Sequence, residues 1–160
     1  MGKRWLERKT EMEAILAREA WGTLGVIVGG RPYGVPLNHA YVDGKIVFHC
    51  ALEGEKLDAI RANPRVCYTV AWQSGEVREH DCRSCHPACD SVICQGRARI
   101  VEDQQERKAL LNKFNRAFRP GAKDLEMPAL VRCACVEIEI EEMTGRVERN
   151  RKYTFYRWRK

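Results

Sequence analysis

Residues 33–70, YGVPLNHAYVDGKIVFHCALEGEKLDAIRANPRVCYTV, narrow the choice of fold more than any other stretch. Two alternating apolar segments, 33–42 and Lys45–Cys50, meet at Asp43-Gly44, a pair suited to the positive φ of a tight primed hairpin turn. After Phe48-His49-Cys50 the chain leaves the sheet through Ala51 and Gly54 and starts a helix. Asn63-Pro64 stops that helix, because the residue before a proline is pushed out of the helical region. Free N–H groups, the positive end of the helix and Lys56 therefore converge on one spot at the rim of a small β-barrel. An anionic group suits that spot.

The rest of the chain continues the hairpin-rich pattern. Strands are predicted at 22–29, before a turn at Gly30-Arg31-Pro32, and at 65–72 and 91–101. A last clear strand at 131–140 sets Val136, Ile138 and Ile140 against Glu137, Glu139 and Glu141. An amphipathic helix is predicted at about 8–20, with Thr10 and Glu13 spaced as a capping box. A second at 103–118 places Leu110, Leu111, Phe114 and Phe118 on one face. A βαβ protein would need a helix after nearly every strand, so the pattern is mainly β: an antiparallel barrel with peripheral helices, in one domain spanning 1–160.

The 160 residues contain no apolar run long enough to cross a bilayer, and the N-terminus lacks the apolar stretch of a secretory signal, so the expectation is a cytoplasmic protein without a membrane partner. Charge is unevenly placed. Seven of the 28 Lys and Arg lie at 146–160 beside Glu148 alone, so the net charge of +6 belongs to this tail. Its cations alternate with Tyr153, Phe155, Tyr156 and Trp158. That pattern reads first as a solvated last strand or arm, next as a cover over a ligand site, and last as a grip on nucleic acid, which is unlikely for one short segment.

Eight cysteines without a secretion signal argue for thiols or metal ligands rather than disulfides. Cys50, Cys67, Cys94, Cys133 and Cys135 fall in predicted strands, where Cys packs as a small apolar residue. Cys82, Cys85 and Cys89, with His86, occupy CRSCHPAC in the longest loop, 74–90. This spacing suits zinc or an iron–sulfur cluster, and CRSCH also matches a c-type haem attachment pattern. Unliganded thiols are the plainer reading, since a zinc ribbon needs two such pairs.

Taken in order, WGTLGVIVGGRPYGVPLNHAYVDGKIVFHCALEGEKLDAI, NPRVCYTV, DSVICQGRARIVED and EIEEMTGRV resemble the FMN-binding split-barrel superfamily, the pyridoxamine-phosphate-oxidase-like proteins, in the branch of the nitroimidazole-resistance reductases. The resemblance implies a split β-barrel of antiparallel strands and a homodimer with FMN between subunits. It also implies that Pro36, Leu37 and Asn38 border the flavin ring, while His49, Cys50, Ala51 and Lys56 surround the ribityl phosphate. Ser91, Val92 and Ile93 of a partner subunit supply the second wall, with Trp158 folding across. His49 matches a family histidine beside the flavin and is the candidate catalytic proton donor. Asp90 stands where relatives carry a basic residue, which leaves an arginine of the tail to take over that phosphate contact.

The function so implied is an FMN-dependent oxidoreductase, nitroreductase-like or related to pyridoxamine-phosphate oxidase. It would take electrons from a nicotinamide cofactor or a protein donor and pass them to a small organic acceptor. The alternative is a non-catalytic flavin-, haem- or metal-binding redox sensor.

Overall fold

The computed structural model describes residues 5–73, 88–126, 131–149 and 152–160. Among the described residues, nine strands form one sheet: β1 (Trp5–Leu6), β2 (Trp21–Val28), β3 (Arg31–Asn38), β4 (Ala40–Val42), β5 (Lys45–Cys50), β6 (Arg65–Gln73), β7 (Cys89–Ile100), β8 (Ala134–Arg149) and β9 (Lys152–Arg159). Three helices among the same residues accompany them: α1 (Lys9–Arg18), α2 (Glu55–Ala62) and α3 (Gln104–Phe118). No helix among the described residues is long and apolar enough to cross a membrane.

The main path runs β1-β9-β8-β7-β6-β2-β3, antiparallel except for the short β1–β9 pair. The 16-residue β8 decides the architecture. One of its edges follows β7, while the other is divided: residues 134–139 hold β5 and residues 142–149 hold β9. That division makes the curled sheet a split barrel. β7 shifts register between Gln95 and Gly96, where a bulge sharpens the bend. A Cβ at Gly96 would lie 2.3 Å from the Glu139 carbonyl oxygen, so only glycine permits this approach.

The tail belongs to the sheet. Alternation continues past Ile140 through Met143, Gly145 and Val147, but small and acidic residues mask it in the sequence, and β8 ends nine residues beyond the expected strand. β9 then folds back along it. Most of the tail's cations meet carboxylates: Arg146 reaches Glu148 at 2.5 Å, Arg159 reaches Glu142 at 2.6 Å, and Lys160 pairs with Glu139. The Arg157 guanidinium lies 4.6 Å from the centre of the Trp5 ring.

Other local expectations shift for identifiable reasons. The β2–β3 turn is Gly29-Gly30, with φ of 55° and 78°, and Pro32 sits in the sheet at an edge strand, where its missing N–H costs nothing. The expected strand 33–42 is interrupted at His39, whose ring is fully buried. Thr10 does not cap α1. The helix already begins at Lys9 with Arg8 as its uncapped N-cap, and Glu13 instead accepts a 2.6 Å bond from the Tyr41 hydroxyl. Packing of Met12, Ile15 and Leu16 against the barrel outweighs the capping signal.

The main core lies inside the barrel. Leu57, Ala59 and Ile60 of α2 and Met12, Ile15 and Leu16 of α1 pack against buried strand residues such as Leu24, Phe48, Tyr68 and Ile138. Gly22 lets the Tyr68 ring lie close over β2, since a Cβ there would stand 2.4 Å from it. A second cluster joins Leu111 of α3 to Val47, Val101 and Cys135 behind β5 and β8. Glu137, expected to face solvent, is buried there. Lys45 at 2.9 Å and Arg99 at 2.7 Å compensate its charge.

Candidate functional site

The step from β5 into α2 forms an anion cradle from main-chain geometry. Gly54 precedes the helix at φ 134°, a value L side chains rarely adopt, and so offers α2 no side-chain cap. The Leu57 and Asp58 amides bond back to the Gly54 carbonyl, at 2.9 and 3.3 Å. The amides of Glu55 and Lys56, earlier in the first turn, have no such bond. Lys56 is partly buried and makes no ion pair among the described residues. Two amides, a helix end and an ammonium group are a good match for a phosphate. Burial pushes the Cys50 thiol up, while Lys56 beside it pulls the other way, so Cys50 stays a neutral neighbour.

β3 contributes an open edge. Among the described residues it pairs only with β2, and the His39 amide donates to the Ala20 carbonyl at 2.9 Å. Alternation along an antiparallel strand then turns the Pro36 carbonyl and the Asn38 N–H away from β2. An unpaired donor and acceptor there suit the polar edge of a heterocycle. Leu37 packs on the barrel core and Pro36 is exposed, while the Asn38 amide side chain reaches the Ala20 carbonyl at 3.3 Å.

The other named residues are distributed as follows. Ala51 is exposed in the cradle loop. His49 sits beside Cys50 in sequence but on the other face of β5, with its ring 5.0 Å from Phe114 of α3 at 80°. It borders a cavity of about 220 Å³ with Leu111, Phe114 and Leu125. Ser91 and Ile93 face out from β7, whereas the Val92 side chain is in the core. Ile93 shares a cross-strand row with Pro36 through Thr69 and Thr23, so three strand spacings, about 14 Å, separate them within one chain. Trp158 is held in β9 against the core, with the Lys9 ammonium 4.5 Å from its ring centre.

Cys82, Cys85 and His86 lie outside the described residues. Cys89 is half-buried at the start of β7. No group of three or more His, Cys, Asp or Glu among the described residues could hold a metal ion. Burial pushes the Cys94 and Cys135 thiols up to about 12, which makes both inert packing groups.

Two polar arrangements were not apparent from residue order. Asp90, 2% exposed, takes both guanidinium nitrogens of Arg149, at 2.6 and 2.8 Å, and Arg18 at 3.0 Å. The two guanidiniums also lie 5.2 Å (Arg18) and 5.9 Å (Arg149) from the centre of the Trp72 ring. Arg149 is therefore held by Asp90 through both terminal nitrogens. The only sequence signal was an acid at 90 in company with a basic tail.

The second arrangement centres on His39. Its Nε2–H donates to the Leu16 carbonyl at 3.0 Å, which leaves Nδ1 to accept from the Tyr68 hydroxyl at 3.0 Å. Burial lowers its pKa, only partly opposed by the Leu16 bond. In the unfolded chain His39 titrates at its ordinary 6.5. Below that pH the unfolded state binds the extra proton first, so its contribution is full above pH 6.5 and is lost as pH falls toward the lowered native value. The unfolding free energy from urea titrations between pH 8 and 5 is expected to fall below about pH 6.5, by up to about 1.4 kcal/mol per pH unit for this one group. His39→Gln is expected to flatten that slope.

With this geometry in hand, the family model described as pyridoxamine 5′-phosphate oxidase matches residues 8–147. A candidate 5-nitroimidazole antibiotic resistance protein from Bacteroides thetaiotaomicron shares 25% identity over 88% of this chain and 84% of its own, with a TM-score of 0.75. An FAD-binding protein from Mesorhizobium loti shares 24% identity over 93% and 100% of the two chains, at 0.68. The FAD and heme binding protein of Mycobacterium smegmatis shares the fold at 0.78 with 14% identity, over 91% of this chain and 73% of its own. No curated protein matches the chain.

Proposed function

Because this chain belongs to the pyridoxamine 5′-phosphate oxidase family, we propose that it is a flavin-binding oxidoreductase that takes FMN at the β5–α2 step. The observation that carries this reading is the uncapped start of α2 at Gly54, with Lys56, which makes no ion pair among the described residues, beside it. Bound FMN would supply the electron transfer, with a small organic molecule such as a nitroaromatic as acceptor and a nicotinamide cofactor or a protein as donor. Lys56 and the amides of Glu55 and Lys56 would hold the phosphate. The open edge of β3 at Pro36 and Asn38 would orient the ring, with Leu37 fixing the strand from the core side.

His49 is proposed as the proton donor. It would deliver its proton from the α3 side of β5, where the cavity with Phe114 lies.

One chain offers a single open wall, so the active form is proposed to be a homodimer. Ser91 and Ile93 of a second copy would cover the ring, and apolar side chains exposed nearby, Trp21 (60%) and Ile93 (41%), favour such a contact. The absorption spectrum of purified protein and an FMN titration test the flavin reading. Paired near-ultraviolet and blue bands are expected, and their absence after incubation with FMN would reject it. Sedimentation with and without FMN tests the dimer, since a ligand held by two chains favours the assembled state. A monomer with full FMN affinity would reject the shared site.

A further inference from the structure

Helix α3 lies over β5 and the start of β8, and the cavity of about 220 Å³ between them is built from both periodicities. On the sheet side, His49 stands opposite Cys135 in the β5–β8 register, and Cys133, just before β8, lines the cavity with it. On the helix side, Leu111 and Asn115 are one turn apart, with Phe114 next to them. Leu125 closes the wall, and its amide donates to the Asn112 side-chain oxygen at 2.7 Å, which fixes it there.

The lining is apolar apart from a few polar groups. Neither the His49 ring nitrogens nor the Asn115 side-chain amide has a hydrogen-bond partner among the described residues. The His49 and Phe114 rings meet at 5.0 Å and 80°, and two rings crossed in this way offer a third flat ring a face and an edge. A cavity of about 150 Å³ is enough for benzene, so this one has room for a single ring with a small substituent.

Arg107 sets the charge. It lies one turn before Leu111 on the same stripe of α3, just beyond the lining. Its Nε is the one buried side-chain nitrogen or oxygen without a hydrogen-bond partner among the described residues, and its guanidinium makes no ion pair among them. A buried donor left in this state is costly and asks for an explanation. Its charge is felt at the cavity wall: burial pushes the Cys133 thiol up, and Arg107 opposes that shift. Neighbouring charges are already matched. Lys113 pairs with Asp43, Arg116 pairs with Asp124, and Glu137, whose charge reaches Cys135, is held by Lys45 and Arg99. The Cys133 end of the cavity is therefore electropositive.

We infer that the cavity beneath α3 binds a single-ring aromatic carboxylate, its ring against Phe114, Leu111 and Leu125, its oxygens bonded by His49 and Asn115 within the field of Arg107. An apolar box with neutral donors and a cation nearby suits a flat acid better than a phosphate, which would need several direct charged contacts. The site shares only His49 with the flavin reading, because the cavity lies on the α3 side of β5 and Cys50 and Lys56 lie toward the other.

Nuclear magnetic resonance titration of the full chain with benzoate and with benzyl alcohol, a neutral ring of similar size, tests this with and without FMN. The His49 and Asn115 side-chain signals are expected to shift, with benzoate bound about fivefold tighter than the alcohol and no need for FMN. Arg107→Gln should close that gap, about fivefold, and leave the alcohol unchanged, a result that loss of packing would not give. Asn115→Trp should fill the cavity and weaken both ligands about tenfold or more. If that variant folds poorly, the Arg107→Gln comparison still decides. Unmoved His49 and Asn115 signals, equal affinity for the two rings, unchanged benzoate affinity in Arg107→Gln, or binding that requires FMN would each overturn the inference. Benzoate binding in a protein that fails to bind FMN would uphold the cavity and reject the flavin reading.

Discussion

Lys56→Ala is expected to weaken FMN binding by about 1.5–3 kcal/mol, the value of a charge-assisted hydrogen bond, which corresponds to roughly 10- to 150-fold in affinity. His49→Ala is expected to behave differently: FMN affinity holds, and turnover of bound flavin slows by about 10²-fold or more, the usual contribution of a positioned proton donor. The contrast follows from position. Lys56 is beside the uncapped first turn of α2, whereas His49 projects from β5 toward Phe114 and shares none of the cradle's donors. Flavin titration combined with single-turnover reoxidation by a nitroaromatic separates the two. Unchanged affinity in Lys56→Ala would remove Lys56 from the site, and unchanged reoxidation in His49→Ala would leave His49 as a packing partner of Phe114.

The largest expected loss of stability is at Asp90. Removing the carboxylate in Asp90→Ala leaves two guanidiniums facing each other over Trp72 with nothing between them. Breaking a fully buried pair costs about 3–5 kcal/mol. Arg18 and Arg149 are about half exposed, 49% and 48%, so water screens part of their repulsion, and the expected cost is about 2–4 kcal/mol. Urea denaturation at pH 7 measures it, and a change under about 0.5 kcal/mol would mean that the cluster is ornamental.

The same group adds an acid limb to the stability profile. Arg149, and then Arg18, hold the Asp90 carboxyl below its ordinary value of 3.8. Its stabilisation is therefore complete above pH 3.8 and is lost as pH falls further toward the lowered native value. Asp90→Asn is expected to lose this limb while retaining part of the packing.

Local chemistry was legible in the sequence wherever one residue pair settles one geometry. Asp43-Gly44 makes the turn it suggests, with φ of 51° and 79°, and β5 has the expected bounds. Asn63-Pro64 ends α2, and the order of strands indicated an antiparallel barrel. The cradle was legible for the same reason: a strand end, a glycine, a helix start and Lys56 lie within a few residues of one another.

Tertiary structure decided what depends on which faces meet. His49 and Cys50 are adjacent in sequence, yet the two-residue period of a strand sends one to α3 and the other toward the barrel core and Lys56. Asp90 finds Arg18 and Arg149, 72 and 59 residues away, because β7 borders β8 and α1 packs over that end of the barrel. Arg65 and Arg97 face each other only through the β6–β7 register. A chain of residues states its own spacing, but the long-range register that sets one charge against another is fixed by packing of the whole sheet, and local order cannot encode it alone.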